Sequence, residues 1–156
     1  MPGPSVYELA EQDSVIIHAS CVAVAGKALL IVGASGAGKS ALALQMMAFG
    51  AELVADDRVE LSATADQVLA QAAPNIRGMI EARGLGILRA SAVGPVPLTY
   101  VVDLDEQESE RVPEPIAIRT LRQTVPLFRG LGVPNLAAAL MQLMKMGRVD
   151  PEWPST

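Results

Sequence analysis

The sequence predicts an α/β fold with a mixed β-sheet, and three observations lead to this prediction. A short apolar run at residues 29–32, typical of a buried strand, leads directly into the glycine-rich segment 33–40. Residues rich in helix formers follow at 41–48. Several further apolar runs, separated by turn residues, and one helical segment near the end of the chain complete the pattern. A strand–loop–helix unit followed by more strands is typical of α/β proteins.

In the first half of the chain, the sequence predicts strands around one helix. Residues 15–24 and 28–32 are a candidate antiparallel hairpin joined by a three-residue turn. The helix of residues 40–49 ends before Gly50, because glycine is favoured just after a helix. A short buried strand is predicted at 53–55. Since the helix acts as a crossover, this strand should run parallel to 29–32.

In the second half, the sequence predicts more strands and one late helix. The candidate strands are 58–61, 68–73, 80–88, 98–104 and 116–128. The second of these also fits a short helix, and the third is interrupted by two glycines. Residues 134–146 are predicted as a helix with proline in its first turn and Gly147 after its end. The acidic run 103–110 is predicted as a solvated loop.

Composition restricts the class of protein. At 156 residues, the chain 1–156 is interpreted as one catalytic domain, with 148–156 as a candidate disordered tail in which Trp153 is either a docking contact or disordered. A net charge of −5 argues against nucleic acid as the main partner. Cys21, the single cysteine, suits a reducing cytoplasm and is expected to be buried. No apolar run approaches the ~20 residues of a membrane helix, and no secretory signal opens the chain.

The segment "GASGAGKS" has the spacing G-x-x-x-x-G-K-S of a phosphate-binding loop. Backbone N–H groups of such a loop point into one concavity at a helix N-terminus, where the helix dipole favours negative charge. Lys39 is expected to reach the β- and γ-phosphates, and the Ser40 hydroxyl to ligate Mg²⁺. The predicted nucleotide-binding residues are Gly33, Ala34, Ser35, Gly36, Ala37, Gly38, Lys39 and Ser40.

Asp56 and Asp57 follow the strand at 53–55. Ligands of such sheets bind at the carboxyl ends of the strands, so an acid here is expected to support Mg²⁺ or to meet the attacking nucleophile. Neighbouring residues of an extended segment point to opposite faces, so we expect only one of the two to face the γ-phosphate. The alternative is that both are turn residues between two strands.

His18, Glu81 and Arg83 are further candidates with two interpretations each. Counting outward from the predicted turn places His18 opposite residue 34, but a one-residue slip would turn it away and leave it structural. Glu81 and Arg83 lie two apart in an extended segment and so share one face. They could serve Mg²⁺ and phosphate oxygens, or form a surface ion pair, which the residues alone favour.

Four separated stretches resemble the successive motifs of the HPr kinase/phosphorylase family. They are "IHAS" (17–20), "GASGAGKS" (33–40), "LVADDRV" (53–59) and "EARGLGI" (81–87), and the resemblance covers about 15–90. Members of this bacterial family phosphorylate a regulatory serine on the phosphocarrier protein HPr and also remove that phosphate. The chain resembles a truncated form without the N-terminal domain of the longer members.

The resemblance implies a P-loop kinase domain similar to the phosphoenolpyruvate carboxykinase-like fold, assembled as a hexamer and using ATP and Mg²⁺. It makes Asp57 the base for the serine proton and His18 an active-site histidine. Lys39 would hold the phosphates. Ser40, Asp56 and Glu81 are the expected metal ligands.

The resemblance also implies catalytic roles for two arginines, Arg83 in the signature loop and Arg111. The family's basic loop, P-V-R-P-G-R-N-L-A, corresponds here to residues 126–137, which keep Asn135 but have one arginine fewer. That loop is associated in the family with phosphorolysis.

Three functions remain open at this level. The first is a serine kinase for HPr or an HPr-like carrier. The second is a small-metabolite kinase, since residues 110–130 hold four arginines that could form a mobile lid. The third is a nucleotide-responsive regulator without transfer activity, acting through a sensor kinase or a transcription system.

Overall fold

The computed structural model describes residues 3–149, in which a large mixed sheet carries two helices. The strands are β1 (Ser14–His18), β2 (Ser20–Val24), β3 (Lys27–Val32), β4 (Glu52–Ala55), β5 (Arg58–Ala63), β6 (Val68–Ala72), β7 (Met79–Ala82), β8 (Gly86–Arg89), β9 (Val96–Gln107), β10 (Ile116–Thr120) and β11 (Gln123–Leu131). The helices are α1 (Lys39–Ala48) and α2 (Leu136–Met146), and a short 3-10 turn lies at Val6–Glu8. The predicted α/β class with a mixed sheet is confirmed.

The centre of the sheet is β3, which pairs parallel with β9 and antiparallel with β2. On its other side β2 pairs antiparallel with β4, so β4 runs in the direction of β3. The expected parallel orientation is therefore confirmed, with β2 lying between the two strands. From β9, one arm continues through β6, β5 and β1, and β11 pairs with the later part of β9. Two further strands, β7 and β8, form a separate two-stranded sheet.

Both faces of β3 are covered, which explains its continuous apolar run. Leu29 and Ile31 belong to a buried cluster with side chains of α1 and α2. Leu30 and Val32 belong to a second cluster with side chains of β1, β5 and β10. The methionines and leucines of α2 contribute to the first cluster, except Met146, whose side chain is exposed.

The predicted strand 15–24 is interrupted at Ala19, and only its second half forms the hairpin with β3. Its first half pairs with β5, with His18 opposite Arg58. The turn has two residues, since Val24 pairs with Lys27. Ala25 and Gly26 both have positive φ, as a type I′ turn requires. The predicted pairing of His18 with residue 34 is therefore wrong.

Other segments refine the predicted elements. The segment 68–73 is a strand, and the glycine-interrupted segment 80–88 is the β7–β8 hairpin. The acidic run is not a loop throughout, because β9 extends to Gln107 and buries Asp103. The late helix begins two residues after Pro134, because Asn135 has a left-handed φ of 53° that no helix interior accommodates.

Within residues 3–149, no helix is long and apolar enough to cross a membrane. The predicted tail falls mostly outside the described part of the chain. Residues 150–156, with Trp153, lie outside it, whereas Arg148 and Val149 follow α2 without regular structure.

Cys21 is the second residue of β2 and is fully buried, as expected. Burial raises the pKa of the Cys21 thiol, because the charged thiolate loses its hydration in the core. Since the thiolate is the reactive species, the folded protein should alkylate with iodoacetamide about a hundredfold more slowly than the denatured protein. Mass spectrometry of the time course measures both rates. Equal rates under native and denaturing conditions would contradict the burial of β2.

Candidate functional site

The segment 33–40 forms the turn between β3 and α1 at the carboxyl end of the sheet. A Cβ on Gly33 would lie 3.1 Å from the Cβ of Ala37 and 3.3 Å from that of Leu104, so a larger residue would push the loop off the sheet. Gly38 precedes α1 with a left-handed φ of 102°. No side chain of the described residues caps this helix, so its first N–H groups are available to an anion.

Lys39 lies across the mouth of this loop. Its Nζ donates to the carbonyl oxygen of Gly33 at 2.8 Å and to that of Ala34 at 3.1 Å. The ammonium group is thereby held beside the concavity formed by the loop. A fixed cation at a helix N-terminus is suited to binding phosphate oxygens.

The Asp56 carboxylate is the most highly connected polar group of the site. Its Oδ1 accepts from Ser40 Oγ at 2.7 Å and from Ser20 Oγ at 2.6 Å, and its Oδ2 accepts from the backbone N–H of Glu81 at 2.9 Å. Asp56 is only 5% exposed. These bonds tie the end of β4 to α1, β2 and β7. Ser20 ends the "IHAS" stretch, and sequence reasoning gave it no role.

Asp57 has a different environment from its neighbour. Its side chain is 66% exposed, and its carboxylate lies 3.9 Å from His18 Nδ1 and 3.5 Å from Arg58 Nε. The residue has a left-handed φ of 73°, so the segment is a tight turn and not extended. Both acids line the same cavity, so the premise of an extended segment with side chains on opposite faces is wrong. That only one of them faces the γ-phosphate stays a prediction.

A cavity of about 900 Å³ opens in front of the loop and collects most of the predicted residues. Lys39, Ser40, Glu81 and Arg83 line it together with the two aspartates. Glu81 contributes to this lining from β7, and Arg83 contributes from the β7–β8 turn. Within residues 3–149 these two make no ion pair with each other, so that favoured interpretation is wrong.

A second cavity of about 250 Å³ is bounded by the first two residues of the loop. It is lined by Gly33, Ala34 and His18, and by three residues that sequence reasoning did not select: Tyr7, Asp103 and Asp105. His18 thus lies beside Ala34 as expected, although the pairing that led to this expectation is wrong. A sequence signal for Asp103 did exist. It lies on β9 opposite Val32, at the carboxyl end of the strand that runs parallel to β3, where ligands of such sheets bind.

Arg111 is not brought to the site. It is exposed in the loop 108–115 between β9 and β10, and neither cavity is lined by it. Another arginine, Arg129 of β11, lies 3.8 Å from Glu108 at the start of this loop.

The donor set fits a hard cation bound jointly with phosphate. In the described part of the chain, no three His, Cys, Asp or Glu side chains converge to hold a metal ion by themselves. Mg²⁺ needs fewer, because it keeps several waters and takes phosphate oxygens along with one or two carboxylates. Ser40, Asp56 and Glu81, which line the same cavity, carry the oxygen ligands for this requirement.

A family profile described as the HPr serine kinase C-terminal domain matches residues 8–94. The chain is 37% identical over 106 residues to an HPr kinase/phosphorylase from Alkaliphilus metalliredigens, covering 63% of this chain and 34% of that protein. It is 46% identical over 101 residues to the protein of that name from Lachnoclostridium phytofermentans, covering 62% and 32%. The chain therefore spans about a third of the length of these curated relatives.

A solved structure, that of the Hpr(Ser) kinase/phosphatase from Coxiella burnetii, has the same fold. The TM-score is 0.71 at 22% identity, and the match covers 82% of this chain and 87% of that one. The P-loop kinase-type architecture expected from the motifs is thereby confirmed. Because the profile covers more than half of its residues, the chain belongs to the HPr serine kinase C-terminal domain family.

Proposed function

We propose that this protein transfers the γ-phosphoryl group of ATP to a serine of HPr or of an HPr-like carrier in a Mg²⁺-dependent reaction. One observation supports this above the others: two adjacent carboxylates line the cavity in front of the phosphate loop, one buried against Ser40 and one exposed beside His18. Environments that differ so strongly suit two different roles.

Asp57 is the proposed general base. It is exposed, so an incoming serine hydroxyl can reach it, and the Arg58 guanidinium lies nearby. The proton of the hydroxyl moves to the Asp57 carboxylate while the serine oxygen forms its bond to the γ-phosphorus. The bond from that phosphorus to the bridging oxygen breaks, and ADP leaves with the electron pair.

The other residues of the cavity would bind and orient. Lys39 and Arg83 would meet the negative charge of the phosphates. His18, which lines the second cavity, would orient the carboxylate of Asp57 from 3.9 Å away. Ser40, Asp56 and Glu81 would hold the metal. When bound, Mg²⁺ supplies charge neutralisation on the β- and γ-phosphate oxygens.

The names of the curated relatives support HPr as acceptor, and also support phosphorolysis in reverse, in which Asp57 would return the proton.

We extend the proposal to a hexameric assembly by resemblance, and to the cytoplasm because the one cysteine is an unpaired, buried thiol. Mass photometry or light scattering of the purified protein tests the hexamer.

The central experiment incubates the purified protein with ATP, Mg²⁺ and HPr, followed by phosphoserine detection by mass spectrometry. We expect one phosphoserine per HPr. ATP turnover with small metabolites and not with HPr would favour a metabolite kinase. Stoichiometric ATP binding without turnover on any acceptor would favour a regulator.

Asp57→Asn should lower the rate of phosphotransfer by a factor of about 10² to 10⁴, because it removes the proton acceptor. The affinity for ATP should change little, since Asp57 is exposed and bonds to no loop residue. Steady-state kinetics and isothermal titration calorimetry separate the two quantities. Lys39→Ala is the matched control, because it should weaken binding itself. A variant Asp57→Asn with full activity would disprove the assignment of the base.

Asp56→Asn should destabilise the fold by about 1–3 kcal/mol, whereas Asp57→Asn should be nearly neutral. An asparagine at 56 can accept from the two serines only by turning its amide nitrogen toward the N–H of Glu81, which leaves two donors facing each other. Urea unfolding of the two variants without nucleotide measures the difference. Equal stabilities would show that the buried bonds of Asp56 are unimportant for folding.

A further inference from the structure

We propose that Asp105 and Asp103, at the carboxyl end of β9, are positioning residues for the phosphate loop, and that Tyr7 completes their arrangement. Nucleotide affinity would then depend on a segment that precedes the sheet and touches no phosphate. This inference rests on the nucleotide-binding part of the proposed function, and it holds whatever molecule accepts the phosphoryl group.

The first step links Asp105 to the loop. Its Oδ2 accepts the backbone N–H of Ala34 at 2.8 Å. The carbonyl oxygen of the same residue accepts Lys39 Nζ at 3.1 Å. Both backbone polar groups of Ala34 therefore have a side-chain partner. Asp105 fixes the orientation of the residue on which the ammonium group of Lys39 rests.

The second step links Asp105 to the interior. Its own backbone N–H donates to Oδ1 of Asp103 at 2.9 Å. Asp103 is 5% exposed, and its Oδ2 accepts the Tyr7 hydroxyl at 2.6 Å. Tyr7 is half exposed as a whole, but loss of hydration around its hydroxyl and the bond to Asp103 raise its pKa, and this hydroxyl is a donor at neutral pH. A buried carboxylate needs such donors, because an unpaired charge in a protein interior is costly.

The third step fixes Tyr7 itself. Ser5 and Glu8 close a capping box around the 3-10 turn that carries it. Directly after this turn, Leu9 is fully buried, and its carbonyl oxygen accepts the N–H of Leu121 at 2.8 Å. Arg122 extends the attachment through a 2.7 Å ion pair with Asp13. The segment is thus fastened to the β10–β11 turn, and it holds the phenol at the end of β9.

The charge of Asp105 is not what the loop needs from it. A carboxylate beside a phosphate site opposes anion binding, whereas a neutral acceptor would still accept the N–H of Ala34 without that repulsion. Asparagine provides that acceptor with almost the same shape. The arrangement therefore predicts that Asp105→Asn preserves function and that Asp105→Ala does not.

The experiment measures the dissociation constant of Mg·ADP by calorimetry and hydrogen exchange of the Ala34 amide by NMR in the nucleotide-free protein. Asp105→Ala should weaken Mg·ADP about tenfold and speed exchange at Ala34, because one hydrogen bond to a charged group is lost. Asp105→Asn should bind Mg·ADP with a dissociation constant within about twofold of the wild-type value. Asp66→Ala, which removes the same charge from the exposed turn between β5 and β6, is the control and should change neither quantity.

Tyr7→Phe tests the more distant end of the arrangement. It keeps the ring and removes the donor, so we expect Mg·ADP to bind about threefold more weakly, with faster exchange at Ala34. Urea unfolding midpoints separate this effect from global destabilisation.

The proposal is overturned if Asp105→Ala and Tyr7→Phe leave both quantities at the wild-type values, or if Asp105→Asn is as defective as Asp105→Ala. Failure of the wild type to bind Mg·ADP would instead refute nucleotide binding. The exchange rates at Ala34 would still decide the positioning role, because they are measured without nucleotide.

Discussion

The hydrogen-bonded carboxylate of Asp56 is the interaction on which the site depends. Burying a charge is costly unless donors replace its hydration, and Asp56 has three of them. The donors come from β2, from the first turn of α1 and from β7. A two-stranded hairpin such as β7–β8 is marginal on its own, so its bond to Asp56, together with the burial of Ile80 against α1, fixes Glu81 and Arg83 beside the phosphate loop.

The backbone conformation at residues 56 and 57 then places two identical side chains in different environments. Asp56 ends the extended segment and points inward, where it is fully engaged. Asp57 takes a left-handed conformation, which turns its carboxylate into the same cavity but leaves it exposed. Aspartate tolerates this conformation better than most residues do, which explains an acid at a position where the chain must turn.

The sequence was sufficient where structure is determined by local pattern. The strand β3, the loop after it and α1 follow from an apolar run, three glycines and a row of helix formers, all adjacent in the chain. The register of β1 could not be predicted in this way. The two-residue turn alone would shift the partner of His18 by one position along β3, whereas the interruption at Ala19 takes β1 away from β3 and pairs it with β5.

Long-range contacts explain the remaining differences. Asp103 has the sequence context of a solvated acid, but it is buried on β9, where a tyrosine 96 residues away donates to its carboxylate. Nothing within several residues of Asp103 reports that partner. For the same reason, Arg111 matched a family position by local similarity only, whereas its place in the loop 108–115 is determined by the lengths of β9 and β10.

The charges around the phosphate loop explain why a cation belongs to the proposed reaction. The larger cavity is lined by two cationic side chains, Lys39 and Arg83, and by three carboxylates, so its walls alone carry no excess of positive charge. The smaller cavity adds Asp103 and Asp105 on the far side of the loop. A free triphosphate would therefore meet net repulsion from the side chains at short range, opposed by the N-terminus of α1. In the proposed reaction, Mg²⁺ bound to the phosphates would reverse this balance, because Asp56 and Glu81 would then serve as ligands of the metal.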